Sequence, residues 1–407
     1  MSADSLVVVG GGPVGCVLAL AAGLRGLDVT LLEAETTTDD APRAATIQPS
    51  TLELLAGVGL IDDVIGSGLT ARYFDHWDRP TMTRIARLDH AVLADETPYP
   101  FVIQLEQHKL VGMAMERLAA MDNVQVRRGV RAHEVIEGGG RVTVRADDSG
   151  RDSSWDAEYV VGADGARSVV RKALGIDFAG YTWPEQFLVL TTKYDFEAEY
   201  DLSYRNYFSD PEEWVNLFKV PGDGDGPRWR AVFPARTDVD DGTLLTDESV
   251  RERLDRMVPD GNPSDLLLHR KLYRVHQRVA TSFRRGRVFL AGDAAHVNNP
   301  IGGLGLNSGI HDAIDLVDSL VEEGDTSTVD FRLDAWAERR RVLNVEFVQQ
   351  QTVANKRRME ERDPEKRLQA RQDMSRMAAD DEAARAFLMR TSLLASLRRT
   401  PSTGAGL

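Results

Sequence analysis

The chain has 407 residues, a formal net charge of −15 and one cysteine, Cys16. That length suits two or three domains, or one large fold with an inserted sheet; the acidic balance argues against a nucleic-acid partner, and a lone cysteine excludes disulfides and thiolate metal clusters. No apolar run approaches the roughly 20 residues of a membrane span, and Met1–Ser2–Ala3–Asp4 lacks the basic region of a secretory leader, so a cytoplasmic protein is expected.

In chain order, residues 6–9 are a short, β-branched apolar run, the pattern of a buried parallel strand. Gly10, Gly12 and Gly15 follow as G-x-G-x-x-G, where the strand turns into a helix expected over 14–25. Gly10 permits the tight turn, Gly12 lets a pyrophosphate approach the backbone, and Gly15 lets helix and strand pack closely. Pro13 and Val14 open that helix, whose N-terminal amides would face the phosphates. A second strand over 28–32 ends in Glu33, placed to accept a bond from a ribose hydroxyl. Strand, glycines, helix, strand and acid in this order predict dinucleotide binding.

After a polar loop containing Arg43, which alone reads as a surface residue, a helix is expected from Ser50, with Ser50 and Glu53 as a capping box. Residues 71–77 and 81–88 read as a hairpin turned at Asp78–Arg79–Pro80. A strand over 101–104 ends in Gln104 and leads into a helix; short strands follow over 124–126, 130–135 and 142–145. A further strand runs into Gly162–Ala163–Asp164–Gly165 and out into a helix. Strand-like runs over 187–192, 204–208, 214–220 and 228–233 then interrupt the α/β pattern with an antiparallel sheet, followed by a helix over 249–257 and an extended stretch over 265–279. A third apolar strand ends in Gly292–Asp293, and a glycine-rich loop over 300–307 opens a helix through 320. Helices over 329–356 and 365–377 finish the chain.

These motifs resemble the class A flavoprotein monooxygenases, the p-hydroxybenzoate-hydroxylase-like family. The resemblance covers nearly the whole chain and rests on residues 10–15 with Glu33, residues 162–165, and Gly292–Asp293 followed by residues 300–307. It implies an α/β (α+β) fold: a discontinuous Rossmann-like FAD-binding domain over 1–70, 100–180 and 280–325, a mainly antiparallel substrate sheet over 71–99 and 181–279, and a helical segment over 326–407. It also implies non-covalent FAD, NADH or NADPH as co-substrate, and O2. Oxygen would pass from a flavin C4a-hydroperoxide to a phenol-like or polycyclic aromatic substrate.

By the same resemblance, Gly10, Gly12, Pro13, Val14 and Gly15 cradle the FAD pyrophosphate, Glu33 holds the adenosine ribose, and Arg43 reaches the phosphates. Gln104 contacts the flavin, Asp164 serves FAD and the nicotinamide, and Gly292 and Asp293 meet the ribityl chain. Pro300, Gly305, Leu306 and Asn307 flank the isoalloxazine, while His296 in Gly-Asp-Ala-Ala-His reads as structural. Substrate-side candidates are Tyr194, Tyr204, Arg205, Tyr207, Asn216 and Arg230; Arg205 and Tyr207 share one strand face and join Pro300 as the expected catalytic set. The strand over 214–218 lacks the arginine with which hydroxybenzoate-specific members hold a carboxylate, which points to a larger or less acidic aromatic. A flavin-dependent reductase and Baeyer–Villiger oxygen insertion are the alternatives on the same scaffold. A monomer or homodimer is expected, with no metal.

Overall fold

In a computed structural model, residues 5–258, 261–322 and 328–399 are described. A six-stranded sheet runs in the spatial order Arg284–Arg285, Val288–Leu290, Tyr159–Gly162, Ser5–Val9, Asp28–Glu33, Val124–Arg128. Every pairing in it is parallel except that of the short Arg284–Arg285 edge. The central strand is apolar because both its faces are covered. Helix Pro13–Leu24 packs between it and the helices Gln107–Ala119 and Gly305–Val321, and is buried from Pro13 to Gly23. Only small residues allow such an approach: a Cβ on Gly23 would stand 2.6 Å from Val124 Cγ2. On the strands' other side lies a three-stranded antiparallel sheet, Val130–Gly138, Arg141–Asp148 and Arg151–Ala157.

The second large sheet has eight strands, in the order His296–Val297, Leu267–Ala280, Phe178–Thr192, Arg228–Arg236, Val215–Val220, Arg205–Ser209, Tyr73–Asp78, Thr83–Asp89. It is antiparallel throughout except where Arg205–Ser209 meets Tyr73–Asp78, a parallel pairing that recruits the early hairpin to this sheet. Alternation gives the sheet two different faces. One carries Leu188, Leu190, Phe208, Leu217, Trp229 and Phe233 and is closed by Val250 and Leu254 of helix Asp247–Asp255. The other carries Phe74, Phe187, Tyr207 and Val232 and meets Ile301 together with Met359, Met374 and Leu388 of the C-terminal helices.

Those helices begin with Val329–Asn344, which runs through one π turn, Val345–Gln349, into Gln350–Met359; Pro364–Ala378, Asp381–Thr391 and Leu394–Arg398 follow. Among the described residues no helix is long and apolar enough to cross a membrane.

Two expectations need correction. The helix near residue 50 starts at Pro49, preceded by Gln48, and has no side-chain cap. Proline's fixed φ suits the first helical position, and Ser50 turns inward instead, its Oγ donating to Ser392 O (2.7 Å) and lying 3.0 Å from His311 Nε2. The strand Arg151–Ala157 was not expected: its residues are mostly polar because one face is solvated, and its register with Arg141–Asp148 supplies the order.

Candidate active site at the joined ends of three strands

The three glycine-bearing motifs follow three neighbouring strands and so emerge side by side. Gly10 N donates to Leu32 O (2.8 Å), Ala163 N to Val9 O (2.8 Å), and Ala291 N to Gly162 O (3.0 Å). Ligands of open α/β sheets bind outside the carboxyl ends of such strands. Gly10 has φ +109°, and a Cβ there would lie 2.4 Å from Ala163 O; a Cβ on Gly15 would lie 1.9 Å from Gly10 O. Gly12 differs: nothing lies within 4 Å of its Cβ position, so it faces open cleft. Helix Pro13–Leu24 has no side-chain cap, which leaves its first amides available to an anion. Val14 wedges against Gly292 and Gly309, where added Cβ atoms would come within 2.9 and 2.6 Å of its Cγ2.

Glu33 is oriented by backbone: Gly11 N donates to Oε2 (2.5 Å) and Glu35 N to Oε1 (2.7 Å). The loop carrying Arg43 is tied to the large sheet, since Arg230 Nη1 donates to Arg43 O (3.0 Å) and Tyr273 Oη to Pro42 O. The Arg43 guanidinium is half exposed and pairs with Asp39 at 2.6 Å. Gln104 is buried; its Oε1 accepts from Thr46 Oγ1 (3.0 Å), while its Nε2 has no partner. The Asp164 Oδ2 accepts from Val169 N (2.7 Å) and Val170 N (3.2 Å), and its buried Oδ1 has no partner. Burial pushes the Asp164 carboxyl up, against the hydrogen bonds it receives.

Asp293 lies deep among protein atoms yet is solvent-accessible, a combination that a concave cleft produces. Burial raises its carboxyl pKa, and the charges of His296 and Arg43 oppose the rise. His296 itself is buried, with Nε2 2.7 Å from Asp312 Oδ2; Asp312 also accepts from Gly292 N (3.2 Å) and Arg340 Nε (2.9 Å). Burial alone would push the Asp312 carboxyl up, but His296 and Arg340 hold it below the usual range. This network braces the turn at Gly292. Helix Gly305–Val321 also lacks a side-chain cap, so the amides of Gly305, Leu306 and Asn307 face outward from its first turn. The Asn307 side chain is already engaged: Oδ1 accepts from Gln48 N, and Nδ2 donates to Thr46 O and Gly303 O. Pro300 is exposed at the same loop.

On the sheet, register puts Tyr207 opposite Asn216 and Asn216 opposite Val232, with Arg205 opposite Phe218 and Phe218 opposite Arg230. Arg205, Tyr207, Asn216 and Arg230 therefore share the face turned to the glycine loop. Arg205 Nη2 donates to Gly302 O (3.0 Å), and its guanidinium lies 4.3 Å over the Phe74 ring. Phe74 meets Tyr207 edge-on at 4.7 Å and His76 at 4.4 Å. Tyr194 and Tyr204 do not join this face: Tyr194 Oη donates to Glu199 (2.6 Å) and Tyr204 lies beside Lys219. Their positions at or beyond strand ends explain the difference.

Four contributors escaped the sequence reading. Arg171 bridges two motifs, donating to Ala294 O (2.8 Å) and Ala166 O (2.9 Å), 3.8 Å over Phe178. Gln48 Nε2 donates to Gly302 O (3.0 Å) beside Arg205. Phe74 and His76 arrive on the hairpin. Among the described residues no group of three or more candidate metal ligands occurs.

Residues 3–351 match the family model described as FAD binding domain. The chain belongs to that family. It is 34% identical over 388 residues to para-nitrophenol 4-monooxygenase of Pseudomonas sp. (strain WBC-3), covering 95% of this chain and 94% of that one. It is 31% identical over 367 residues to 6-hydroxy-3-succinoylpyridine 3-monooxygenase of Pseudomonas putida (strain DSM 28022 / S16), covering 88% and 90%. The crystal structure of p-nitrophenol 4-monooxygenase from Pseudomonas putida DLL-E4 superimposes with a TM-score of 0.89 at 33% identity, over 97% of this chain and 98% of that one. The protein is an FAD-dependent aromatic hydroxylase that consumes NAD(P)H and O2, as the resemblance implied, and the reductase and Baeyer–Villiger alternatives are not favoured. The residues fit the cofactor: Gly12 borders open cleft, and Gln104 Nε2 and Asp164 Oδ1 are buried polar atoms still lacking partners.

Proposed function

We propose that this chain hydroxylates a small para-substituted phenol, with 4-nitrophenol as the first compound to test. The supporting observation is the aromatic wall of Phe74 and Tyr207, joined to the glycine loop through the Arg205–Gly302 bond, in a chain alike over 95% of its length to para-nitrophenol 4-monooxygenase.

Bound FAD, once reduced, supplies activated oxygen to an electron-rich ring. The chain's residues do the rest. Gly10, Gly12, Pro13, Val14 and Gly15 admit and cradle the pyrophosphate, Glu33 accepts from the ribose, and Arg43 reaches the phosphates from the cleft mouth. Gln104 and Asp164, whose Nε2 and Oδ1 are buried without partners, would bond the flavin, and Asp293 beside Gly292 would hold the ribityl chain. Pro300 and the amides of Gly305, Leu306 and Asn307 flank the ring. Arg205 and Tyr207 fix the substrate edge and keep water from it, which matters because water competes for reactive oxygen. We read residues 1–70, 100–180 and 280–325 as the cofactor domain, 71–99 and 181–279 as the substrate domain and 326–407 as the helical segment. The protein works in the cytoplasm as a monomer or homodimer.

The test measures NADH and NADPH oxidation with 4-nitrophenol and a panel of para-substituted phenols, alongside product mass and nitrite. Oxygen insertion at the nitro-bearing carbon expels nitrite. Nitrite with a quinone from 4-nitrophenol, or gain of one oxygen by another phenol of the panel, is the expected result; oxidation of the nicotinamide without any oxygenated product overturns the reading.

A further inference from the structure

The substrate-facing wall continues past His76 into a cavity of about 30 Å³ between the sheet and the corner joining helices Gln350–Met359 and Pro364–Ala378. It has room for a carboxylate-sized group but not for a ring. Its polar lining includes His76, Asp78, Ser209, Arg358, Arg367 and Arg371. Asp78 is buried and already committed, facing Arg371 at 3.1 Å and Arg367 at 3.6 Å and accepting from Thr81 Oγ1 at 2.6 Å. Glu361 is the other acid in the lining, so three guanidiniums face two carboxylates.

Arg358 is the group left over. Among the described residues it has no hydrogen bond and no ion pair; its one neighbour of note is the Phe387 ring, 5.9 Å away. His76 faces it with 4% exposure and an Nε2 that has no partner. Burial, then the charges of Arg358 and Arg205, hold the His76 imidazole well below its ordinary pKa, so the ring is neutral and offers a hydrogen bond rather than a charge. The Arg358 guanidinium is half-buried and the His76 Nε2 fully so; a cation without a counter-charge beside a buried nitrogen without a partner is an arrangement that an anion completes. His76 also touches the aromatic wall, 4.4 Å from Phe74 and 5.7 Å from Tyr207. The cavity thus begins where that wall ends.

We infer that this cavity binds a small anionic group, held by Arg358 and His76, carried on the end of the aromatic substrate remote from the flavin. The inference rests on the phenol reading above and adds the feature that selects among phenols. A free inorganic anion has the same chemistry and is the alternative source of the group.

The experiment uses the oxidised FAD-loaded enzyme at a pH where 4-nitrophenol is ionised. Binding of 4-nitrophenolate and of neutral 4-methylphenol is read from the flavin absorbance change, and the effect of inorganic phosphate from the melting temperature. Arg358→Met should weaken 4-nitrophenolate about tenfold or more, as loss of a charge-assisted bond does. It should leave 4-methylphenol within about twofold, and Arg358→Lys should recover much of the loss. Stabilisation by phosphate that disappears in Arg358→Met, with phenolate binding unchanged, assigns the site to a free anion. Equal weakening of both phenols, or no change in phenolate or phosphate binding, overturns the inference. If wild-type enzyme binds neither phenol, the phenol reading fails while the phosphate arm still decides whether the cavity takes an anion.

Discussion

The two walls of the cleft are made of different material. On the nucleotide side the wall is built largely from backbone, with uncapped amides of two helices, glycines pressed against carbonyls and a carboxylate, Glu33, itself aimed by amides, and a few side chains such as Asp164 and Asp293 are added to it. On the ring side they are side chains, Phe74, Tyr207, Arg205 and His76, presented by strands whose main chain is occupied with the sheet. A backbone-built wall cannot be altered without moving the fold, whereas a side-chain wall can exchange residues on an unchanged frame. The first suits a cofactor shared by a family, the second a substrate that differs between members.

The largest effect should come from the backbone wall. In Gly15→Ala the new Cβ would land 1.9 Å from Gly10 O, a clash worse than the ~1–3 kcal/mol of ordinary overpacking. The variant should purify without flavin and melt well below wild type; yellow protein of wild-type stability would break the contrast.

Acid should come next, and it acts on both walls. His311, beneath the glycine loop, is held at about 3, chiefly by burial and then by Arg340. His90, in the turn after the strand Thr83–Asp89 and bonded to Arg72 O, is held at about 4, by burial and then by Arg205. Both stay neutral when folded but take a proton near pH 6.5 when unfolded. The unfolded state then binds more protons, so stability falls as pH drops from about 6.5 toward 4, by up to ~1.4 kcal/mol per pH unit for each imidazole. Denaturant melts from pH 7 to 5 check this, and His311→Asn should flatten the slope.

Asp293→Ala removes a side-chain ligand from the nucleotide side. FAD binding should weaken by about 1.5–3 kcal/mol, roughly tenfold or more, read by flavin fluorescence on dilution. Arg205→Met addresses the ring side: KM for the phenol should rise about tenfold while FAD affinity stays at the wild-type value. Loss of flavin in that variant would mean that Arg205 serves the loop rather than the substrate. Smallest is Tyr194→Phe, which loses a bond to Glu199 at the surface and should leave kcat and KM unchanged.

What could be read in advance follows the same division. Residues 10–15 and Glu33 were legible because strand, turn and helix are consecutive in the chain and each glycine answers a local steric need. Asp164 and Asp293 carried meaning only through their family context, since a lone Gly-Asp has no local signature of its own. Arg171 and Gln48 gave no signal: each binds a carbonyl far along the chain, Arg171 that of Ala294 and Gln48 that of Gly302, 254 positions apart. Ser50 misled because its capping pattern was intact while Pro49 had already set the helix start. Arg205 and Tyr207 could be assigned to one face by alternation, but Phe74 and His76 could not be set beside them, because a parallel pairing between distant strands leaves no mark in either.

That pairing also governs how the polypeptide reaches its native state. Trp77 and Asn206, hydrogen-bonded across it, are 129 positions apart, and two strands of the six-stranded sheet and the whole three-stranded sheet are encoded between them. Closing so long a loop is entropically expensive and slows folding. During synthesis the hairpin of Tyr73–Asp78 and Thr83–Asp89 emerges well before the strand Arg205–Ser209 that completes it, and until then it offers a bare edge rich in aromatic residues to any other chain. Slow, concentration-sensitive refolding is the expected cost of building the substrate wall from two remote pieces of sequence.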